Sequence, residues 1–428
     1  MAAFIAFNFL NMVSPFTGYS QTVKEGSYEK CFIVSDIHFD PLLGAHNDTG
    51  LYKKLERASI GEWQNIFESS KPEMTVNTAL LGKDANYGVL KAALTNMKKR
   101  LPNPSFIIIA GDFIWHGAKP KDSLLKKKSI RFIAQLFKEN FPAVTIIPAM
   151  GNNDTYGNDY ALQDSRFLRD FADAWSPNLP KRSADKLKAQ GYYNVVKGNL
   201  RFMVINSALL YYGSQYQEQA DTMLTWVQTG LSNPKNKNVW IIMHIPPGLN
   251  GYNDSYMWNV DNSQTFVNSV VKYAEKVKFS IASHTHFDDF KVFYNTAQKP
   301  VAFMRIVPSI CDNHSNNPSF EIAEFNSESG RVVKETSYYL NLAAIPVDKN
   351  GQDDVWEDTQ GLPFSLGLGA INAVDFSKEI DHVNNDKSWK ALNEYIRFYN
   401  VGTHIDSSKT INRLNYYKYL KADSLKAN

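Results

Sequence analysis

Cysteine is almost absent: the 428 residues hold two, Cys31 and Cys311. Two thiols cannot build the disulfide framework of a small secreted scaffold. Each lies beside an apolar, strand-like run, which reads as two buried, unpaired thiols rather than one bridge. So few cysteines in an exported chain point to a bacterial rather than an animal secretory route. Net charge is equally scarce, +3 from 46 Lys and Arg against 43 Asp and Glu. That excludes the basic excess of a nucleic-acid binder or of a protein held on an anionic membrane. Runs long enough to span a bilayer are missing, which excludes stable membrane insertion. No internal repeat is present.

What is there begins with an apolar leader. Eight of the nine residues from Ala2 to Leu10 are apolar, and Gly18 and Ser20 make a small-x-small site. Residues 1–20 are expected to be a signal peptide cleaved after Ser20, which places the protein in a secreted or periplasmic setting. The usual basic start is lacking, since the first lysine is Lys24. A docked or disordered leader is the alternative. The rest is globular in composition, with 43% hydrophobic and 21% charged residues. Such a length admits one large domain with an appendage, or two domains.

Short apolar runs recur, each ending in polar residues: KCFIVSDIHFD (30–40), SFIIIAGDFIWHG (105–117), AVTIIPAMGNND (143–154), NLRFMVINSA (199–208), NVWIIMHIPPG (238–248) and KFSIASHTHFDDF (278–290). Continuous runs of this kind read as strands buried on both faces. Helical patterns lie between several of them, at Tyr87–Lys99 and Ser123–Lys138. The latter, though lysine-rich, would turn Leu125, Ile130, Ile133 and Phe137 inward. Alternating strand and helix predict an α/β sheet with layers on both sides. VAFMRIVPSI, SFEIAEFN and GRVVKETSYYLNL then follow one another without helices and read as antiparallel strands. From about Ile345 the chain turns rich in Gly, Asp and Pro, with a helix candidate at 387–402 before a polar tail.

The strand tips carry the chemistry, because α/β sheets place ligands at the carboxyl ends of their strands. The tips offer Asp36 and His38, Asp112, Asn152, His244, and His284 with His286. Five of the nine histidines stand at such tips, His116 included. Asp-x-His and His-x-His put both side chains on one face of extended chain. Carboxylate, imidazole and amide oxygen together suit zinc, iron or manganese. One Asp shared between two ions would bring them about 3.5–4 Å apart, the arrangement of two-metal phosphoesterases. Taken singly, each residue has a plainer reading. Asp36 could cap a helix, His244 could be structural before Pro-Pro, His116 could pack beside Trp115, and Asn153 could serve a turn.

The order D-x-H, G-D, G-N-N-D, H, H-x-H resembles the calcineurin-like metallophosphoesterase superfamily. SDIHFDP, GDFIWH, HIPPG, SHTH and VPSICDNHSNNPSFEI resemble its acid sphingomyelinase-like phosphodiesterases, over roughly residues 30–325. The resemblance implies a four-layer α/β/β/α sandwich spanning 25–345, with a loop and small C-terminal helical lobe at 346–428. It implies two divalent metal ions, zinc first, manganese or iron next. One would be held by Asp36, His38, Asp112 and His286, the other by Asp112, Asn152, His244 and His284. A hydroxide between them would be the nucleophile on a phosphodiester or phosphoanhydride. Where the family has G-N-H-[DE], this chain has Asn153, and an amide donates a hydrogen bond but no proton. The proton-donor role is therefore assigned to His116, and Asn153 to holding a phosphate oxygen. The expected substrate is a soluble nucleotide or choline-type diester. Sphingomyelin, polyphosphate through an endopolyphosphatase-like activity, and metal binding with little turnover are the alternatives.

Overall fold

The computed structural model describes residues 27–43, 45, 48–69, 82–162, 165–250, 255–314, 316–345, 355–360, 371–388 and 390–402. The expected signal peptide, His46, His404 and most of the linker after Ile345 lie outside the described residues. The strands are β1 (Tyr28–Val34), β2 (Phe106–Ile109), β3 (Thr145–Pro148), β4 (Tyr193–Lys197), β5 (Leu200–Val204), β6 (Asn238–Ile242), β7 (Val277–Ala282), β8 (Asp289–Tyr294), β9 (Pro300–Ile306), β10 (Ser319–Asn326), β11 (Val332–Leu340) and β12 (Trp356–Gln360). They form two six-stranded sheets, ordered β12-β11-β10-β1-β2-β3 and β4-β5-β6-β7-β9-β8.

The central strands are short and apolar because both of their faces are covered. Every residue of β2, Phe-Ile-Ile-Ile, is fully buried. Between the sheets, Phe106 meets Phe202 at 4.8 Å and Phe325 at 5.3 Å, and Trp240 meets Phe279 at 5.0 Å. These are edge-on and tilted aromatic contacts that fill the interior of the sandwich. Helices Gln217–Ser232 and Val260–Lys272 cover the outer face of the second sheet through Met203, Val239 and Ile241. Helix Ser123–Asn140 packs on the first sheet's side with Leu125, Ile130, Ile133 and Phe137 buried. The result is a mixed α/β sandwich of two sheets with helices outside, as expected.

Register is what positions the site. β1, β2 and β3 run parallel with Val34, Ile109 and Pro148 level. β5, β6 and β7 run parallel with Val204, Ile242 and Ile281 level. Each sheet therefore delivers three polar turns to one height. The two rows are tied across the sandwich. Ser283 Oγ donates to Ala110 O at 2.7 Å, and Cys311 N donates to Asp36 O at 3.1 Å.

His284 and His286 stand at the tip of β7, in the turn that separates it from β8. One expectation about the later strands is corrected: β9 does not pair with β10. It lies in the other sheet, parallel to β7 and antiparallel to β8, and the chain crosses between sheets over 307–318. Apolar runs adjacent in sequence pair only if the connection lets them, and this one passes over the strand tips instead. Past the linker, helix Ala373–Asn385 sets Phe376 against Phe290 (4.4 Å) and Phe303 (5.1 Å). Helix Lys390–Tyr399 sets Tyr399 over Phe287 at 4.4 Å.

Candidate metal centre

All seven side chains expected to bind metal meet at the strand tips. Asp36 and His38 follow β1, Asp112 follows β2, and Asn152 follows β3. His244 follows β6, and His284 and His286 follow β7. Asp36, His38, Asp112, His284 and His286 all adopt left-handed backbone, with φ of 43°, 39°, 56°, 76° and 68°. That conformation costs roughly 1 kcal/mol or more per non-glycine residue, and strain of this kind concentrates at functional sites. Surrounding hydrogen bonds hold it: Asp36 N donates to Gly111 O and His38 N to Asp112 O, both at 3.0 Å.

The glycines of G-D and G-N-N allow the close approach. A Cβ on Gly111, whose φ is +98°, would stand 2.9 Å from both His244 Cβ and Gly151 N. One on Gly151 would stand 2.0 Å from Asp112 Oδ1. Neither position admits a side chain without moving the site.

Asp112 is the hub. Its Oδ2 lies 3.4 Å from His38 Nε2 and 3.1 Å from His244 Nε2. Asp36 Oδ1 lies 3.7 Å from His38 Nε2 and 3.5 Å from His286 Nε2. His244 Nε2 is also 3.1 Å from Asn152 Oδ1 and 3.3 Å from His284 Nδ1. Two groups of three, Asp36–His38–Asp112 and Asp112–His244–His284, have donor atoms within 4.8 Å of one another. Asp36 Oδ1 and His38 Nε2 are buried without a hydrogen-bond partner. Buried polar atoms left unpaired are costly, and a cation among convergent oxygen and nitrogen donors removes that cost. The donor set therefore fits two divalent ions.

The electrostatics agree. Burial opposes charge on His38 and His244. Asp112 and Asp36 outweigh it, and the two imidazoles rise to about 10 and about 9. Burial would likewise raise Asp112, but His244 and His38 hold it well below the carboxylate range. His284 falls to about 4, through burial and then the charge of His244. Two buried carboxylates thus draw positive charge into this small volume.

The supports are in place behind these groups. His38 Nδ1 is held by Ile114 O (2.8 Å) and His244 Nδ1 by Ala110 O (2.9 Å), which directs each Nε2 to the centre. Asp154 accepts from the backbone amides of Asp112 (3.0 Å), Phe113 (2.8 Å) and Gly151 (2.9 Å), so it supports the loops. Asp159 Oδ1 accepts from Asn152 Nδ2 at 2.8 Å, which fixes the amide's rotation. Asn153 sits on Asp112 itself, its N donating to Oδ1 at 2.9 Å and its Nδ2 to Oδ2 at 3.0 Å.

His116 joins the site. Its ring stacks on His38 with centroids 3.8 Å apart, and its Nδ1 lies 2.7 Å from Asp84 Oδ1. Asp84 also accepts from His116 N at 2.8 Å and from Asn313 Nδ2 at 3.1 Å. Sequence reading missed Asp84, which looks like one more polar residue before the helix Tyr87–Arg100. It also missed Cys311, whose Sγ lies 3.3 Å from His286 Nδ1. Both cysteines are buried and free.

The class follows from this sandwich and centre together with one match: residues 30–288 fit the calcineurin-like phosphoesterase family, and the chain belongs to it. Within that class its relatives are phosphodiesterases by name. "Sphingomyelinase phosphodiesterase C" of Dictyostelium discoideum is 27% identical over 60% of this chain and 63% of its own length. "Acid sphingomyelinase-like phosphodiesterase 3b" of Mus musculus is 24% identical over 77% of this chain and 74% of its own. "Cyclic GMP-AMP phosphodiesterase SMPDL3A" of Homo sapiens is 24% identical over 72% of this chain and 70% of its own. The chain thus spans somewhat under two thirds of the first relative and about seven tenths of the others. No helix among the described residues is long and apolar enough to cross a membrane.

Proposed function

We propose that this chain hydrolyses a phosphodiester or phosphoanhydride bond in a soluble substrate, using two divalent metal ions. Asp36, His38, Asp112 and His286 would hold one ion, and Asp112, Asn152, His244 and His284 the other. The observation that carries this reading is the sharing of the Asp112 carboxylate between two three-donor groups. Two cations bound there would supply hydroxide at neutral pH and would offset negative charge developing on phosphate oxygens. Zinc suits the mixed donors best, with manganese or iron next.

The chain's own residues do the rest. Asn153 holds both oxygens of Asp112, and its second amide hydrogen is left to bind a phosphate oxygen. His116, oriented by Asp84, gives the proton of Nε2 to the leaving oxygen. Tyr160 donates its amide to Asn152 O at 3.0 Å and stacks on Tyr211 at 4.0 Å, beside the half-exposed Tyr212. That aromatic group next to the centre favours a nucleotide or choline-type diester, whose base or quaternary ammonium would lie against a ring. The relatives' printed names include both sphingomyelin and cyclic GMP-AMP phosphodiesterases, and a secreted or periplasmic setting suits either.

The test is hydrolysis of bis-p-nitrophenyl phosphate by metal-loaded protein with and without chelator. A panel of CDP-choline, ATP, ADP, sphingomyelin and polyphosphate follows. Chelator-sensitive turnover of the diester is expected. Metal-loaded protein inert to the whole panel would favour a metal-binding protein without turnover. Preference for ATP or polyphosphate would favour the anhydride reading, in which a good leaving group needs less help from an acid.

A further inference from the structure

A second cleft, of about 460 Å³, opens on the outer face of the second sheet between helices Lys181–Gln190 and Gln217–Ser232. Asn194 and Val196 of β4 and Arg201 of β5 form its floor. Arg182 and Lys186 stand on one wall and Trp226 on the other. The volume is that of a small-molecule site.

The charge of the lining is one-sided. No carboxylate lines the cleft, and Arg182, Lys186 and Arg201 make no ion pair among the described residues. The first helix has one acid, Asp185, and it is bound to Lys181 at 3.1 Å. On the second helix the acids are Glu218 and Asp221, at least a turn before Trp226, and Asp221 accepts from Gln217 at 2.8 Å. Burial and the neighbouring Arg182 hold Arg201 below the ordinary arginine range, so the two guanidinium groups feel each other. A surface normally intersperses charges of both signs, and three cations round a concavity attract an anion. Guanidinium and ammonium groups bind phosphate through strong, charge-assisted hydrogen bonds.

Ser183 Oγ, also in the lining, is spent on Asn194 O at 2.6 Å. Trp226 contributes a flat, half-buried indole to the wall.

We propose that this cleft binds a phosphate-bearing ligand of nucleotide size. The phosphate lies among Arg182, Lys186 and Arg201, and a flat group rests on Trp226. The site is separate from the metal centre. Arg201 stands at the start of β5, and Ser207, which holds the His244 amide, lies six residues on, roughly 20 Å of extended chain. A free nucleotide and a phosphorylated sugar headgroup of a lipid share this chemistry.

The test is calorimetric titration of the full-length, metal-loaded protein with α,β-methylene-ADP, whose P–C–P bridge resists hydrolysis. A parallel arm uses phosphatidylcholine vesicles with and without phosphatidylinositol phosphate. Wild-type protein should show a binding event that survives chelation of the metals. The double substitution Arg182→Gln, Arg201→Gln should weaken that event about tenfold or more while phosphodiester turnover is unchanged. The unchanged turnover also reports intact folding. Binding to vesicles but not to the nucleotide would assign the phosphate to a lipid headgroup. No chelator-resistant binding in either arm, or equal binding by the double variant, would overturn the proposal.

Discussion

Arg305, on β9, is fully buried among three carboxylates from elsewhere in the sandwich. It reaches Asp288 at 2.5 Å, Glu335 at 2.8 Å and Glu321 at 3.2 Å, and Ser337 Oγ donates to Asp288 and Glu321. The strand-tip centre is likewise a buried knot of ionisable side chains joining both sheets. The difference lies in the cation. Around Arg305 the chain supplies one itself, from regular strand backbone. At the tips it supplies two carboxylates, four imidazoles and an amide, and it holds five residues in left-handed backbone; a buried carboxylate oxygen is left unpaired in both places, Asp36 Oδ1 at the tips and Glu321 Oε2 and Glu335 Oε1 around Arg305. The first knot has a guanidinium of the chain at its centre and no imidazole among its partners, which is the make-up of a structural tie. The second brings imidazole and amide donors together with its carboxylates, the ligand types that suit a divalent ion, and that contrast separates a fastening from a candidate site.

Removing the hub should have the largest effect. Asp112→Asn should lower phosphodiester turnover by about three orders of magnitude, roughly 4 kcal/mol of barrier, with the fold retained. Turnover within tenfold of wild type would mean the shared carboxylate is incidental. Arg305→Leu should do the reverse. It leaves buried carboxylates uncompensated and should cost roughly 3–5 kcal/mol of stability, read from the urea midpoint, while activity per folded molecule is kept. Should the midpoint stay put, the knot at Arg305 is no tie.

His116→Ala sharpens the picture within the centre. It should slow an alkyl diester by about 10²–10⁴-fold and a p-nitrophenyl ester by far less, since p-nitrophenolate leaves without a proton. Equal losses on the two would remove the proton-donor role.

The smallest effect concerns Glu335, which burial, and then Asp288, lift from the ordinary 4.5 to about 7 against the pull of Arg305. The folded state therefore binds this proton more tightly than the unfolded chain. Its contribution is complete below pH 4.5 and is lost as pH rises through about 7. Glu335→Gln should flatten the decline in wild-type stability between pH 5 and 8, measured by denaturation midpoints. Parallel wild-type and variant curves would show that Glu335 does not carry that dependence.

The centre's inner residues were legible because strands announce themselves. Apolar runs such as Phe106–Ile109 end abruptly in Asp112, and the i, i+2 pairs need only local geometry to share a face. Asp84 and Cys311 were not legible. Their role depends on which loop folds back against His116 or His286, and nothing local to them encodes that. The Arg305 knot was hidden for a like reason: Glu321 and Glu335 alternate along strands as solvent-facing residues would. The placement of β9 in the second sheet depended on a crossover that residues 307–318 do not signal. The unusual backbone of Asp36, His38 and Asp112 was equally silent, since contacts distant in sequence, such as Asp36 N to Gly111 O, hold a non-glycine residue there.

The most direct measurement is the metal content of purified, folded protein and of Asp112→Ala, loaded with zinc, manganese or iron and then desalted. Two ions per wild-type chain and a loss of at least one in the variant are predicted. Fewer than two in the wild type, or two retained without Asp112, would contradict a centre built on that shared carboxylate.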